Sequence, residues 1–111
     1  MAAAPYEQLR DSLLAEMRDG TRPAGSRLPT VRQLAADLGL APGTVARAYK
    51  ELEASGAIET RGRAGTFVAW SADAAERRVE ELAARLAAAA HEGGVPTERV
   101  RALVDAALTR R

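Results

Sequence analysis

Apolar residues recur at Tyr6, Leu9, Leu13 and Met17, three or four positions apart, which is one stripe of an α-helix over roughly residues 6–19. Gly20 ends that helix. TRPAGSRLP, with two prolines and a glycine, then reads as a loop. A second, short helix of about nine residues starts at Thr30. Gln33 lies three positions on, so hydroxyl and amide can each satisfy a backbone N–H that the first helical turn leaves unpaired. Its buried stripe is Val31, Leu34, Ala35 and Leu38, and Gly39 suits a left-handed stop. After a very brief link, Pro42 opens a third helix, where its missing N–H costs nothing. Val45, Ala48, Tyr49 and Leu52 point inward, Gly43, Thr44, Arg47 and Glu51 are left outside, and Gly56 closes the helix.

The period then changes. Ile58 to Arg61 and Thr66 to Trp70 are β-prone runs on either side of Gly62–Gly65, which reads as a hairpin. Two short helices joined by a tight turn and followed at once by a hairpin make a winged helix-turn-helix. Beyond Ser71 the chain becomes rich in alanine. Ala75, Val79, Leu82, Leu86 and Ala89 form a heptad-like seam, HEGGVP interrupts it, and Val100, Leu103, Val104, Ala107 and Leu108 make a second apolar face. The expected fold is mainly α with a small β-hairpin: a winged helix-turn-helix over residues 1–70 and two C-terminal helices over 71–111. Alanines at many seam positions are thin for a core within one small chain, so the tail is expected to pair with a second copy. The dimerisation residues would be Val79, Leu82, Leu86, Val100, Leu103, Val104 and Leu108.

Composition narrows the class. With 47% apolar and 28% charged residues the 111-residue chain is globular rather than disordered. It has no uncharged apolar run long enough to span a membrane, and MAAAPYEQL lacks the features of a secretion signal. The absence of cysteine removes disulfides and thiolate metal sites and permits a cytoplasmic location. A net charge of +1 says little, but its distribution says more. From Arg22 to Thr66 there are seven basic and four acidic residues, whereas the rest of the chain to its C-terminus balances.

The stretch TRGRAGTF, residues 60–67, raises three possibilities: a phosphate loop, an ordinary turn, or a basic finger. A phosphate loop needs a strand, then glycines, then a helix with Lys and Ser/Thr at its start. Here a strand follows the glycines and no lysine is present, so that reading fails. The position directly after a helix-turn-helix favours a wing, with Gly62 and Gly65 bending it and Arg61 and Arg63 offering cations. His91 is the only histidine and sits beside a Gly-Gly break. The serines and Lys50 have no histidine near in sequence, and no metal-ligand spacing exists. An enzyme, a metal site and a cofactor are therefore not expected.

Other residues suit an anionic partner. Gly43 and Thr44 at the head of the third helix would let backbone N–H groups approach phosphates, with Arg47 one turn on. Arg32 stands in the first turn of the second helix, where the macrodipole disfavours a cation. It meets either an external anion or a surface carboxylate such as Glu59 or Asp37. The candidate DNA-binding set is Thr30, Arg32, Pro42, Gly43, Thr44, Arg47, Lys50, Arg61, Gly62, Arg63 and Gly65. The alternative is a winged-helix module that binds protein rather than DNA. A small-molecule effector has no polar constellation to identify it.

YEQLRDSL and GSRLPTVRQLAADLGLAPGTVARAYKELEASGAIETRGRAGTFVA closely resemble the N-terminal DNA-binding domain of the GntR family of bacterial transcription regulators. The resemblance covers about residues 5–70, and the short tail resembles that of the YtrA-like subfamily. It implies a cytoplasmic homodimer, a repressor, on double-stranded DNA carrying an inverted-repeat operator, with the two tail helices used for dimerisation. By position it implies that Arg32 contacts a base, that Gly43, Thr44 and Arg47 lie on the recognition helix, and that Arg63 and Gly65 lie on a wing entering the minor groove. Many members carry polar side chains where this chain has Ala41 and Gly43, which shifts base reading onto Arg32, Arg47 and the wing.

Overall fold

The computed structural model describes residues 3–110; Met1 and Ala2, at the head of the MAAAPYEQL stretch, and Arg111 lie outside the described residues. The order of elements is α1 (Pro5–Arg18), α2 (Val31–Leu38), α3 (Pro42–Ala54), β1 (Ile58–Thr60), β2 (Thr66–Val68), α4 (Ala72–Gly93) and α5 (Thr97–Thr109), with one turn of 3-10 helix, Gly62–Ala64, between the strands. Among the described residues no helix is long and apolar enough to cross a membrane. The chain divides into two compact units, one running to Ala74 and the other from Ala75 onward.

In the first unit the helical stripes meet as their spacing requires. Leu9, Leu13 and Met17 of α1, Leu34 and Ala35 of α2, and Val45, Ala48, Tyr49 and Leu52 of α3 form one core with Leu28, Ala57, Ile58 and Val68. Leu13, Leu52, Val45 and Val68 are the largest fully buried side chains. Each buried leucine contributes about 2–5 kcal/mol over an alanine, because its removal leaves a cavity as well as losing transfer energy.

Local chemistry sets the helix ends. The Gln33 N–H donates to Thr30 Oγ1 at 3.1 Å and the Thr30 N–H donates to Gln33 Oε1 at 3.0 Å, the reciprocal cap that the spacing predicts. Gly39 stops α2 with φ 66°, and the Leu40 N–H donates back to Ala35 O at 2.9 Å. That reversal corrects one expectation. It carries Leu40 against the core and leaves Leu38, on the last turn, 50% exposed. The Tyr49 hydroxyl donates to Pro29 O at 2.7 Å, fixing α3 to the entry of α2.

The strands pair antiparallel with Ile58 opposite Val68, Glu59 opposite Phe67 and Thr60 opposite Thr66. The segment before α2, expected to be loop throughout, contributes a short third partner. Leu28 N–H donates to Thr66 O, Val68 N–H to Ser26 O and Gly25 N–H to Val68 O, each at 2.8 Å, and Arg27 stands opposite Phe67. β2 is thus the middle of three extended segments, which anchors the hairpin to the helical body.

The second unit is different in kind. Neither α4 nor α5 has a buried residue, and Val79, Leu82, Leu86, Leu103, Val104 and Leu108 are all exposed, as is Val95 of the link; Val100 is half-buried. Gly94, with φ 67°, turns the chain between the two helices.

Candidate nucleic-acid interface

The outer face of α3, the start of α2 and the inner face of the hairpin enclose an open groove. Val31, Gly43, Ala46, Arg47, Lys50 and Thr66 are among its lining residues, and Glu53 with Thr60 form one wall. The hairpin has two faces because strand side chains alternate. Thr60 and Thr66 face α3. Glu59 and Phe67, cross-strand partners one residue along, face the other way. Thr60 Oγ1 donates to Glu53 Oε2 at 2.6 Å, tying the wing to α3.

Cations around this groove fall into two groups. Arg32, Lys50 and Arg63 are exposed, and none has a carboxylate oxygen within ion-pair distance among the described residues. Arg32 therefore does not meet Glu59 or Asp37. It stands in a first turn without any acidic residue, beside a macrodipole that repels it. The other group is tied down. Arg47 lies with its guanidinium 3.8 Å from the centroid of the Tyr6 ring and its Nε 3.9 Å from Glu51 Oε2. Glu51 is already held by Arg10 at 2.6 Å, so a polar bridge joins α1 to α3 beneath Arg47. Arg61 donates to Glu59 at 2.6 Å and lies 4.4 Å above the Phe67 ring, on the hairpin face turned away from α3.

The helix starts complete the arrangement. α3 begins at Pro42 with no acidic residue in its first turn, and Gly43 is exposed with open space where a Cβ would stand. No side chain caps this end; the Thr44 and Val45 N–H groups donate to Ala41 O at 3.0 and 3.4 Å, which leaves the Gly43 N–H open, and Thr44 is half-buried beside it. Thr30 caps α2 through its oxygen lone pair, which leaves the hydroxyl proton to donate outward. Gly62 and Gly65 carry φ 53° and 112°, bracketing the tip that holds Arg63.

Arg27 did not enter the sequence-derived set. Its backbone pairing with Phe67 places it on the wing, and only that long-range pairing reveals the position. Among the described residues no group of three or more His, Asp or Glu is placed to hold a metal ion.

Comparison with known proteins places the chain in a family. A family profile described as "Bacterial regulatory proteins, gntR family" matches residues 5–68. The chain is 48% identical over 87 residues to the HTH-type transcriptional regulator Rv1152 of Mycobacterium tuberculosis, spanning 78% of this chain and 65% of that one. It is 37% identical over 101 residues to the HTH-type transcriptional repressor YtrA of Bacillus subtilis, spanning 86% of this chain and 77% of that one. A solved transcriptional regulator from Oenococcus oeni has a similar structure, with TM-score 0.63, 34% identity, and 97% and 94% of the two chains covered.

Proposed function

The chain belongs to the GntR family of bacterial regulatory proteins, a family of transcription regulators rather than enzymes, and from that premise we propose that it is a sequence-specific DNA-binding repressor that works in the cytoplasm as a homodimer on an inverted-repeat operator. The observation that carries the reading is the set of unpaired cations, Arg32 at the head of α2, Lys50 on α3 and Arg63 at the wing tip, placed about the exposed face of a helix with an uncapped N-terminus. A charge left unpaired against its local electrostatics is stabilised by an external polyanion, and duplex DNA supplies one.

In this reading α3 lies in the major groove. The Gly43 N–H and the Thr44 and Thr30 hydroxyls hold phosphates, the Thr44 N–H being donated to Ala41 O at 3.0 Å, while Arg32 and Arg47 present donors to base edges. Pro42 opens α3 at the height of the phosphates, and Lys50, two turns on, supplies a further cation to the backbone. The wing carries Arg63 toward the minor groove. Gly62 and Gly65 give the tip its bend, and Arg61, already paired with Glu59, holds the wing's shape and adds less charge.

The first unit is the DNA-binding domain and the tail the dimerisation element. Two helices without a buried residue do not gain enough from packing on themselves to stay ordered in water. A second copy would cover Val79, Leu82, Leu86, Val100, Leu103, Val104 and Leu108 by an isologous contact, and its two-fold axis would demand an inverted repeat. The repressor named above in Bacillus subtilis supports the direction of regulation. No side-chain constellation in α4 or α5 points to an effector.

Selection of bound sequences from random DNA tests the reading. It should enrich an inverted repeat whose half-site centres lie about one helical turn apart or a multiple of it. Recovery of unrelated sequences without a repeat would count against a sequence-specific dimer.

A further inference from the structure

We propose that Arg27 is a DNA-contacting residue of the wing, a cation that the segment before α2 delivers to the hairpin. Arg27 stands opposite Phe67 in an antiparallel bridge, and Glu59 stands opposite Phe67 on the other side. Directly opposed residues share a face, so Arg27, Phe67 and Glu59 form one row across three extended segments. Arg61 occupies the Phe67 and Glu59 part of that row, over the ring and bonded to the carboxylate.

Arg27 takes the remaining part. Its guanidinium lies across Gly65, where a Cβ would come within 2.7 Å of Nε and 3.2 Å of Cζ and Nη2. The side chain that Gly65 lacks is the seat of the Arg27 guanidinium. Arg27 and Arg61 thus share one face of the wing, Arg61 over the Phe67 ring and Arg27 across Gly65. Arg61 has Glu59 as a partner, whereas Arg27 is exposed and has no carboxylate within ion-pair distance among the described residues. An exposed arginine without a carboxylate partner, seated beside the wing tip, leaves uncompensated positive potential there. A phosphate brought to the wing would accept charge-assisted hydrogen bonds from that guanidinium. Gly65 then acts in two ways, by turning the tip and by leaving room for the cation beside it.

The inference rests on the DNA-binding reading above, and the test separates the two. A phosphate contact is independent of sequence, so a random-sequence duplex serves as the probe for the full chain. Each phosphate neutralised adds about 0.9 to the slope of log affinity against log salt. Arg27→Gln should flatten the slope by about that amount. Its affinity deficit should therefore shrink about 3-fold between roughly 50 and 200 mM salt. Arg27→Lys keeps the charge without the planar group and should retain the wild-type slope. Equal slopes for wild type and Arg27→Gln would overturn the assignment while leaving the DNA-binding reading intact. A flattened slope in Arg27→Lys equal to that of Arg27→Gln would also overturn it, since packing rather than charge would then be at work. A wild-type chain that leaves the duplex free overturns the general reading and this assignment together.

Discussion

The Arg47 guanidinium lies over the Tyr6 ring, 3.8 Å from its centroid, while 61% of the Arg47 side chain remains exposed. A cation over a ring face is held by the ring quadrupole rather than by a hydrogen bond, so the ring can position the guanidinium without consuming its donors. α1 therefore aims a residue of α3. Tyr6→Leu keeps the apolar packing but removes the ring, and should weaken operator binding by about 0.5–1 kcal/mol. The same change in an Arg47→Ala background should have no further effect on binding. A double-mutant cycle by fluorescence anisotropy measures this coupling, and additive losses would refute it.

Arg32 makes a different kind of prediction, because it is exposed, unpaired and opposed by its own helix. Arg32→Ala should cost about 1–3 kcal/mol on the operator and relax the preference at one base position. Thermal stability should be unchanged or slightly higher, since a cation leaves the positive end of α2. Equal loss on operator and random DNA would show that Arg32 touches only the backbone.

Burial raises the Tyr49 phenol above its ordinary value of 10.0, against a smaller opposing influence from Arg22. The unfolded chain therefore releases this proton first as the pH rises. Stability from this residue is intact below pH 10.0 and declines above it, up through the higher folded-state value. Tyr49→Phe should be less stable at neutral pH by about 1 kcal/mol, through loss of the bond to Pro29 O. It should also lose that part of the alkaline decline. Denaturation midpoints at pH 8 to 11 compare the two, and parallel declines would assign the effect elsewhere.

The tail makes a prediction about mass. Leu86 is 42% exposed in a single chain and belongs to the Val79–Leu82–Leu86 stripe of α4. Leu86→Glu should shift the sedimenting species from a pair to one 11.7 kDa chain. It should also weaken operator binding by about 10²-fold, through loss of the linked second half-site. An unchanged mass would place the dimer contact outside this stripe.

How far these features were legible in the sequence depended on their range. The Thr30–Gln33 cap, the Gly39 stop and the Val45–Ala48–Tyr49–Leu52 stripe depend on neighbours within two turns, and spacing alone specified them. Leu38 was misplaced because the turn at Gly39, not helical periodicity, decides whether Leu38 or Leu40 goes inside. The extension of the sheet by residues 25–28 joins Arg27 to Phe67 across 40 positions, and no local pattern encodes that pairing. The positions of the candidate site followed from the fold, but the division of its cations did not. Which arginines are tied down, Arg47 by Tyr6 and Arg61 by Glu59 and Phe67, depends on side-chain neighbours that periodicity leaves undetermined.

On the proposed reading, DNA docks on the face formed by the α2 start, the outer side of α3 and the wing. Amide chemical-shift mapping of the full chain, titrated with a duplex selected from random DNA, tests it most directly. The largest changes should fall at Thr30–Gln33, Gly43–Lys50 and Arg61–Gly65, with Arg27 among them. Changes confined to α4 and α5, or a spectrum that the duplex leaves unaltered, would contradict it.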